Sequence, residues 1–242
     1  MRIIKLNAID STNSFLKEMI SKEDVSDYTI IVAEHQTNGR GQMGTIWDSR
    51  KGKNLTFSLF KDLSIHVVEF PFYISMAISL AIFKALKTLN IPDVHIKWPN
   101  DILSANKKIC GVLIENVIKN KLNSTIIGIG VNVNQTEFTN LPHASSLKNI
   151  TGVHYNLDEV LHLIVKQIKV YSNLLQQGEY DVVKSEYEAN LFRKNKPSTF
   201  KNAEDHLFSG FIIGVTKYGK LQVLLEDEIV KKFDLKEITL MY

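Results

Sequence analysis

The sequence predicts an α+β protein, a sheet covered by helices over most of the chain and then a small β-domain. Three observations carry this. Strand-like runs, some apolar throughout and some alternating, recur from Arg2 to Asn134. Residues 72–89 and 157–192 have helical periodicity. From Ser198 onward the pattern changes to short strands separated by turns at Asn202-Ala-Glu-Asp and Lys217-Tyr-Gly219, the mark of a small β-barrel. A chain of 242 residues can hold one sizeable core and a satellite domain. Arg193-Lys-Asn-Lys-Pro197 reads as the linker, giving domains at 1–194 and 195–242.

In order, Arg2 to Leu6 is a strand. Asp10-Ser-Thr-Asn13 is a cluster of capping residues ahead of a helix with the apolar stripe Phe15, Leu16, Met19 and Ile20. Tyr28 to Ala33 is apolar enough to be a strand buried on both faces. Asn54 to Phe60 alternates, as expected of a strand with one solvated or ligand-facing side. Phe72 to Leu89 is a helix apolar nearly all round, so the sheet must cover one side and another element the other. Val94 to Trp98 is a strand stopped by Pro99, and Lys108 to Glu115 another, after a turn at Ser104-Ala-Asn-Lys107. A second hairpin turn is expected at Lys119-Asn-Lys121, before the strand Ser124 to Asn134. Two glycines in that strand, Gly128 and Gly130, mark either close approach of a ligand or tight packing. Residues 135–156 form a long loop, and helices follow over Leu157–Leu175 and Glu179–Phe192.

Composition narrows the function classes. The hydrophobic and charged fractions, 44% and 23%, are those of an ordinary soluble globular protein. A net charge of +3 and no basic run longer than three residues argue against nucleic acid as a partner. The N-terminal stretch lacks the apolar core of a signal peptide, and the most apolar segment is shorter than the ~20 residues of a membrane span. One cysteine, Cys110, excludes an internal disulfide and a cysteine metal cluster, which suits a reducing cytoplasm. The seven histidines have no metal-ligand spacing, and no nucleophile elbow is present.

Polar recognition and anion handling remain. Glu34 to Trp47 holds Gly39, Gly41, Gly44 and Arg40 between two strands. Backbone amides in such a loop form an anion-binding concavity, and Arg40 adds a planar donor fork. The spacing also matches the dinucleotide fingerprint. The helix that fingerprint requires is missing, because residues 45–53 are polar and aperiodic. Other parts of a site are the hydroxyls of Ser11 and Thr12, the amide of Gln36, and the pair Asp101 and Lys108. Spacing alone leaves each open to a plain role: Ser11 or Thr12 as a helix cap, Asp101 as a turn former, Lys108 as a solvated lysine.

Ser11-Thr-Asn13, Gln36 with Gly39-Arg-Gly41, Lys97-Trp-Pro-Asn-Asp101, Lys108-Ile-Cys-Gly-Val-Leu113 and Gly128-Ile-Gly-Val-Asn-Val133 occur in that order between residues 11 and 133. In order and approximate spacing the chain resembles biotin protein ligases. The resemblance implies a mixed sheet flanked by helices, as in class II aminoacyl-tRNA synthetases and lipoate ligases, with a C-terminal SH3-like barrel. It implies an enzyme that uses Mg-ATP to convert biotin to biotinyl-5′-AMP and transfers it to a lysine of a biotin carboxyl carrier protein. Lys108, Arg40 and Asp101 would be catalytic. Ser11, Thr12, Asn13, Gln36, Gly39, Arg40, Gly41, Gln42, Lys108 and Gly111 would bind biotin. Arg40, Asn100, Lys108 and Asn132 would bind the nucleotide, and Asp101 would meet magnesium. Strand residues such as Val112, Ile114 and Ile129 would line the apolar tail, with Gly111 and Gly130 letting it lie close.

Two departures are visible. The motifs begin at Ser11, so the expected form lacks the N-terminal DNA-binding domain of some members. Gln42 stands where many members have a second arginine, a role Arg50, Lys51 or Lys53 could take over. A lipoate ligase or octanoyltransferase of the same fold is the alternative, though its wholly apolar slot would have less use for Ser11, Thr12 and Gln36. The oligomeric state is left open, with a homodimer as one candidate.

Overall fold

The computed structural model of the chain describes residues 1–64, 68–118 and 122–242, and the hairpin turn expected at Lys119–Lys121 lies outside them. The strands of the first sheet are β1 (Arg2–Leu6), β2 (Thr29–Ala33), β3 (Leu55–Asp62), β4 (Val94–Lys97), β5 (Asp101–Ser104), β6 (Lys107–Ile118) and β7 (Leu122–Val131). They lie in the order β1-β2-β3-β7-β6-β5-β4. β1 and β2 run parallel and every other neighbouring pair antiparallel, so the sheet is mixed. β4 answers to the strand expected over Val94 to Trp98, whereas β5 was not distinguished in the sequence. The turn from β5 to β6 is tight because Ala105 and Asn106 both take positive φ, +46° and +59°, the geometry that matches strand twist.

Helix α1 (Thr12–Lys22) covers one face of the sheet, its Leu16 packed with Ile31, Phe60 and Ile126. Ser11 caps it, the hydroxyl oxygen accepting from Ser14 N at 3.4 Å. The opposite face carries α2 (Phe72–Thr88), then α4 (Leu157–Gln176) and α5 (Tyr180–Ala189) beyond it, after the short α3 (Leu147–Thr151). Asn156 caps α4 by accepting from the backbone of Asp158 and Glu159. The apolar surround of α2 is explained by its place between the sheet and the outer helices. Its Ile74, Ile78 and Ile82 are buried. Their propensity cost, up to about 0.7 kcal/mol each in a helix, is smaller than the ~1.5–3 kcal/mol from burying each side chain. Packing wins.

The C-terminal strands β8 (Pro197–Asn202), β9 (Leu207–Val215), β10 (Leu221–Leu225), β11 (Val230–Phe233) and β12 (Ile238–Met241) form one antiparallel sheet ordered β11-β10-β9-β8-β12. The expected barrel is not closed among the described residues, since β11 and β12 are edges that do not pair. β11 is short and presents Lys231 and Lys232 to solvent, a common means of keeping an edge unpaired. This sheet docks on the first. Trp98 Nε1 donates to Gly219 O at 2.8 Å, and Val215 N to Glu188 Oε1 at 2.9 Å. The segment read as a linker is packed too, with Lys194 bridged to Ile212 and Arg193 donating to Ser198 Oγ. Among the described residues no helix is long and apolar enough to cross a membrane.

Candidate active site

Strand register lays out the floor of a cleft. Thr56 pairs with Gly130, Gly130 with Gly111, and Gly111 with Asp101, so these four form one row across β3, β7, β6 and β5. Ser58, Gly128 and Leu113 form the row two residues along, on the same face because side chains alternate with period two. That parity corrects one expectation. Val112 and Ile129 border the cleft, but their side chains, with Ile114, pack into the main core on the other face. Glycines pave the floor instead.

The cleft has a volume of about 450 Å³ and is bordered by Ser11, Thr12, Asn13, Gln36, Arg40, Gly41 and Gln42 from the N-terminal elements, by Asn100 in the turn before β5, and by Asp101, Lys108 and Gly111 from β5 and β6. At one end the polar groups are buried and linked. Gln36 Oε1 accepts from Thr12 N (2.8 Å) and Oγ1 (3.0 Å). Ser58 Oγ lies 2.7 Å from Thr12 Oγ1 and 2.5 Å from Asn13 Oδ1. Asn13 Nδ2 donates to Glu115 Oε2 at 2.8 Å. Gly128 makes room for this, since a Cβ there would stand 2.3 Å from Asn13 Oδ1.

The glycine loop closes over the cleft as a small hairpin, with Arg40 bridged to Ile46 and Trp47 N donating to Gly39 O at 3.0 Å. Gly39 does not line the cleft; it permits close packing, a Cβ at that position coming within 2.2 Å of Trp47 O and 2.7 Å of Gln36 Nε2. Arg40 is held by Glu115, Nη2 to Oε2 at 2.8 Å.

The far end is charged. Lys108 Nζ stands 2.6 Å from Asp101 Oδ1, an ion pair by distance that lacks the direction of a hydrogen bond. Lys97 is close enough to feel both. Its amine is pushed below the ordinary lysine range mainly by burial, with Asp101 opposing and Lys108 adding to the shift. Asn100 is committed structurally, its Nδ2 donating to Val112 O at 2.6 Å. Burial pushes the Cys110 thiol far up and out of reaction.

A second cleft of about 510 Å³ continues from this end and shares Ile46, Trp47, Lys97, Asp101 and Lys108 with the first. Asn132 borders it, as do the loop residues Phe138 and His143 and the chain end at Tyr242. The long loop 135–156 is thus a wall of the site.

The sequence reading missed Trp47, Ser58, Glu115 and Lys97 as site residues. Ser58 did leave a signal, since it stands on the polar side of an alternating strand, and Glu115 a weaker one, as the first polar residue after the run Ile109 to Ile114. The indole of Trp47 left none, because its position depends on how the loop folds back.

Comparison with known proteins agrees with this geometry. Residues 6–132 match the model of the biotin/lipoate A/B protein ligase family. The chain is 30% identical over 183 residues to the bifunctional ligase/repressor BirA of Bacillus spizizenii, a match covering 73% of this chain and 55% of that protein. Against BirA of Escherichia coli the figures are 27% over 238 residues, 97% of this chain and 73% of the other. The chain therefore spans about half the length of the Bacillus relative. Among solved structures, biotin protein ligase from Aquifex aeolicus in complex with biotin and ATP superposes with a TM-score of 0.83 at 28% identity, covering 99% of this chain and 98% of the other.

Proposed function

Because the chain belongs to the biotin/lipoate A/B protein ligase family, we propose that it joins biotin to ATP as biotinyl-5′-AMP and passes the biotinyl group to a lysine of a biotin carboxyl carrier domain. One observation carries this reading: the first cleft is neutral and polar at its buried end and cationic at the other. A ureido ring has both donors and acceptors, which Thr12, Asn13 and Gln36 can match. A lipoyl or octanoyl chain would instead set carbon against those buried polar groups, at a cost of about 1–3 kcal/mol for each one left unpaired.

In the first step the biotin carboxylate oxygen attacks the α-phosphorus and the bond to pyrophosphate breaks. Lys108 offsets the negative charge that grows on the phosphate, an electrostatic effect that usually dominates such transfers. Arg40 borders the same cleft and would have to leave Glu115 to contribute. The second cleft takes the nucleotide, with Asn132 on its wall and the Trp47 indole offering a flat face to a purine. Magnesium fits as an ion held mostly by the phosphates and water, since among the described residues Asp101 and the exposed Asp48 are the acidic side chains that border the clefts. Bound there, it would neutralise phosphate charge. In the second step the carrier amine attacks the acyl carbon and AMP leaves, with Asp101, which borders both clefts, taking the amine's proton.

On this reading residues 1–194 form the catalytic domain and residues 195–242 an SH3-like barrel left open between β11 and β12. The test is to incubate the protein with ATP, magnesium, a carrier domain and either biotin or lipoate, and to weigh the carrier by mass spectrometry. A mass gain with biotin alone is expected. A gain with lipoate alone would overturn the biotin assignment.

A further inference from the structure

We propose that Tyr242, carried by the C-terminal sheet, is a positioning residue that holds the Lys97 ammonium ready for the phosphates of the nucleotide. The proposal rests on the nucleotide reading of the second cleft.

Among the described residues, Arg40, Lys97 and Lys108 are the lysine and arginine side chains that border the two clefts. Arg40 is engaged with Glu115 at 2.8 Å, and Lys108 with Asp101 at 2.6 Å. Lys97 borders both clefts and has no ion pair and no hydrogen-bond acceptor among the described residues. An anion can therefore reach its amine without breaking an existing pair. What the amine does meet is an aromatic ring, its Nζ lying 5.1 Å from the centroid of Tyr242. That is inside the ~6 Å at which the negative face of a ring attracts a cation.

Lys97 needs this support. Burial favours its neutral form, and Lys108 on β6 pushes the same way, opposed by Asp101 on β5. The ring favours the charged form while leaving the three N–H donors of an ammonium free. A carboxylate in its place would favour the charge too, but would compete with phosphate for it.

Tyr242 is itself fixed from several sides. It follows β12, where Met241 pairs with Thr199 of β8. Its ring lies edge to face against Phe192 at 5.2 Å and tilted against His143 at 5.5 Å. Phe192 is tied to β4 beside Lys97, its backbone N donating to Ile96 O at 2.8 Å. His143 O accepts from Lys108 N at 2.7 Å. One ring thus joins the second sheet to β4 and to the loop that holds the Lys108 backbone. The Tyr242 hydroxyl has no hydrogen-bond partner among the described residues, so the ring carries the role.

The test measures binding of inorganic pyrophosphate in the presence of magnesium, and separately of adenosine, by calorimetry. Wild type is compared with Tyr242→Leu, Tyr242→Phe, Lys97→Met and the double variant Tyr242→Leu/Lys97→Met. Tyr242 is 37% exposed, so its substitution spares the core. Tyr242→Leu is expected to weaken pyrophosphate binding about fivefold and Lys97→Met about tenfold. Tyr242→Phe should restore affinity to within about twofold of wild type. In the Lys97→Met background, Tyr242→Leu should cost less than about a further twofold, because the ring then has no cation to hold. A fivefold loss in both backgrounds would show a merely structural ring and overturn the proposal. Failure of Tyr242→Phe to restore binding would overturn it in favour of the hydroxyl. A loss confined to adenosine would make Tyr242 a purine contact and overturn it as well. Wild type that binds no pyrophosphate would remove the nucleotide reading of the cleft and the proposal with it, whereas the biotin reading stands or falls separately on the mass of the carrier.

Discussion

Trp47 lies across Gly130 so closely that a Cβ on the glycine would stand 2.3 Å from the indole Cε2. The same ring would be 3.2 Å from a Cβ on Gly111, and Lys108 Nζ sits 5.9 Å over it. Its Nε1 is buried without a protein partner. The two glycines are thus a bed for an aromatic ring at the point where the two clefts meet. Both glycines therefore serve close packing of a protein side chain, where the sequence reading expected them to let the ligand tail lie close.

Gly130→Ala should push the indole off the floor while leaving the strand intact. Displacements of about 1 Å at a reacting site cost on the order of 100-fold in rate, and a similar loss of adenylate formation is expected. Emission quenching by acrylamide in a Trp98→Phe background, where Trp47 is the remaining tryptophan, should rise with the substitution. Unchanged quenching would show that the ring does not lie on Gly130 in solution.

Lys108→Ala should nearly abolish biotin-dependent pyrophosphate exchange. Loss of one group aimed at developing oxyanion charge costs about 3–4 kcal/mol of barrier, or two to three decades of rate. Lys108 is part-exposed, so unfolding melts should barely move. Retained exchange in the variant would take Lys108 out of the chemistry.

Gln42→Arg should slow escape of the bound adenylate several-fold. Gln42 borders the first cleft and offers hydrogen bonds without charge, and a charge-assisted contact is roughly twice as strong as a neutral one, a difference of about 1 kcal/mol. The cations named as stand-ins for the arginine are elsewhere: Arg50 pairs with Glu137 at 2.5 Å, and Lys51 and Lys53 border neither cleft. Trapping the adenylate, removing free ligand and timing its release would decide the matter, and equal release rates would count against a phosphate-facing Gln42.

Cys110 should make the protein less stable in alkali. Burial raises its folded-state pKa well above the ordinary thiol value, so above about pH 8.5 the unfolded chain has lost a proton that the native one keeps. Unfolding free energy then falls by about 1.4 kcal/mol per pH unit from this group, from the unfolded pKa up to the folded one. Below about pH 8.5 both states hold the proton and the effect vanishes. Urea titrations at several alkaline pH values should show a shallower decline for Cys110→Ala than for wild type. Parallel declines would mean that the thiol ionises in the native state.

Much of this protein was determined by its sequence. The order of strands and helices follows from local periodicity, which is a property of neighbouring residues. The apolar circumference of residues 72–88 by itself required that something cover both sides of that helix. Ser11, Thr12, Gln36, Arg40, Asp101 and Lys108 could be named because they stand in short motifs, and all of them border one cleft.

Tertiary structure decided the rest. Which strand face meets the ligand is a matter of register, and a shift of one residue exchanges Gly111 and Leu113 for Val112 and Ile114. Closure of the C-terminal sheet depends on whether two edges meet, which no local pattern encodes. Glu115 is 102 residues from Asn13 and 75 from Arg40. Its carboxylate meets both because pairing of β6 with β7 and β7 with β3 brings those partners within hydrogen-bond reach, and a one-dimensional pattern carries no information about such distances.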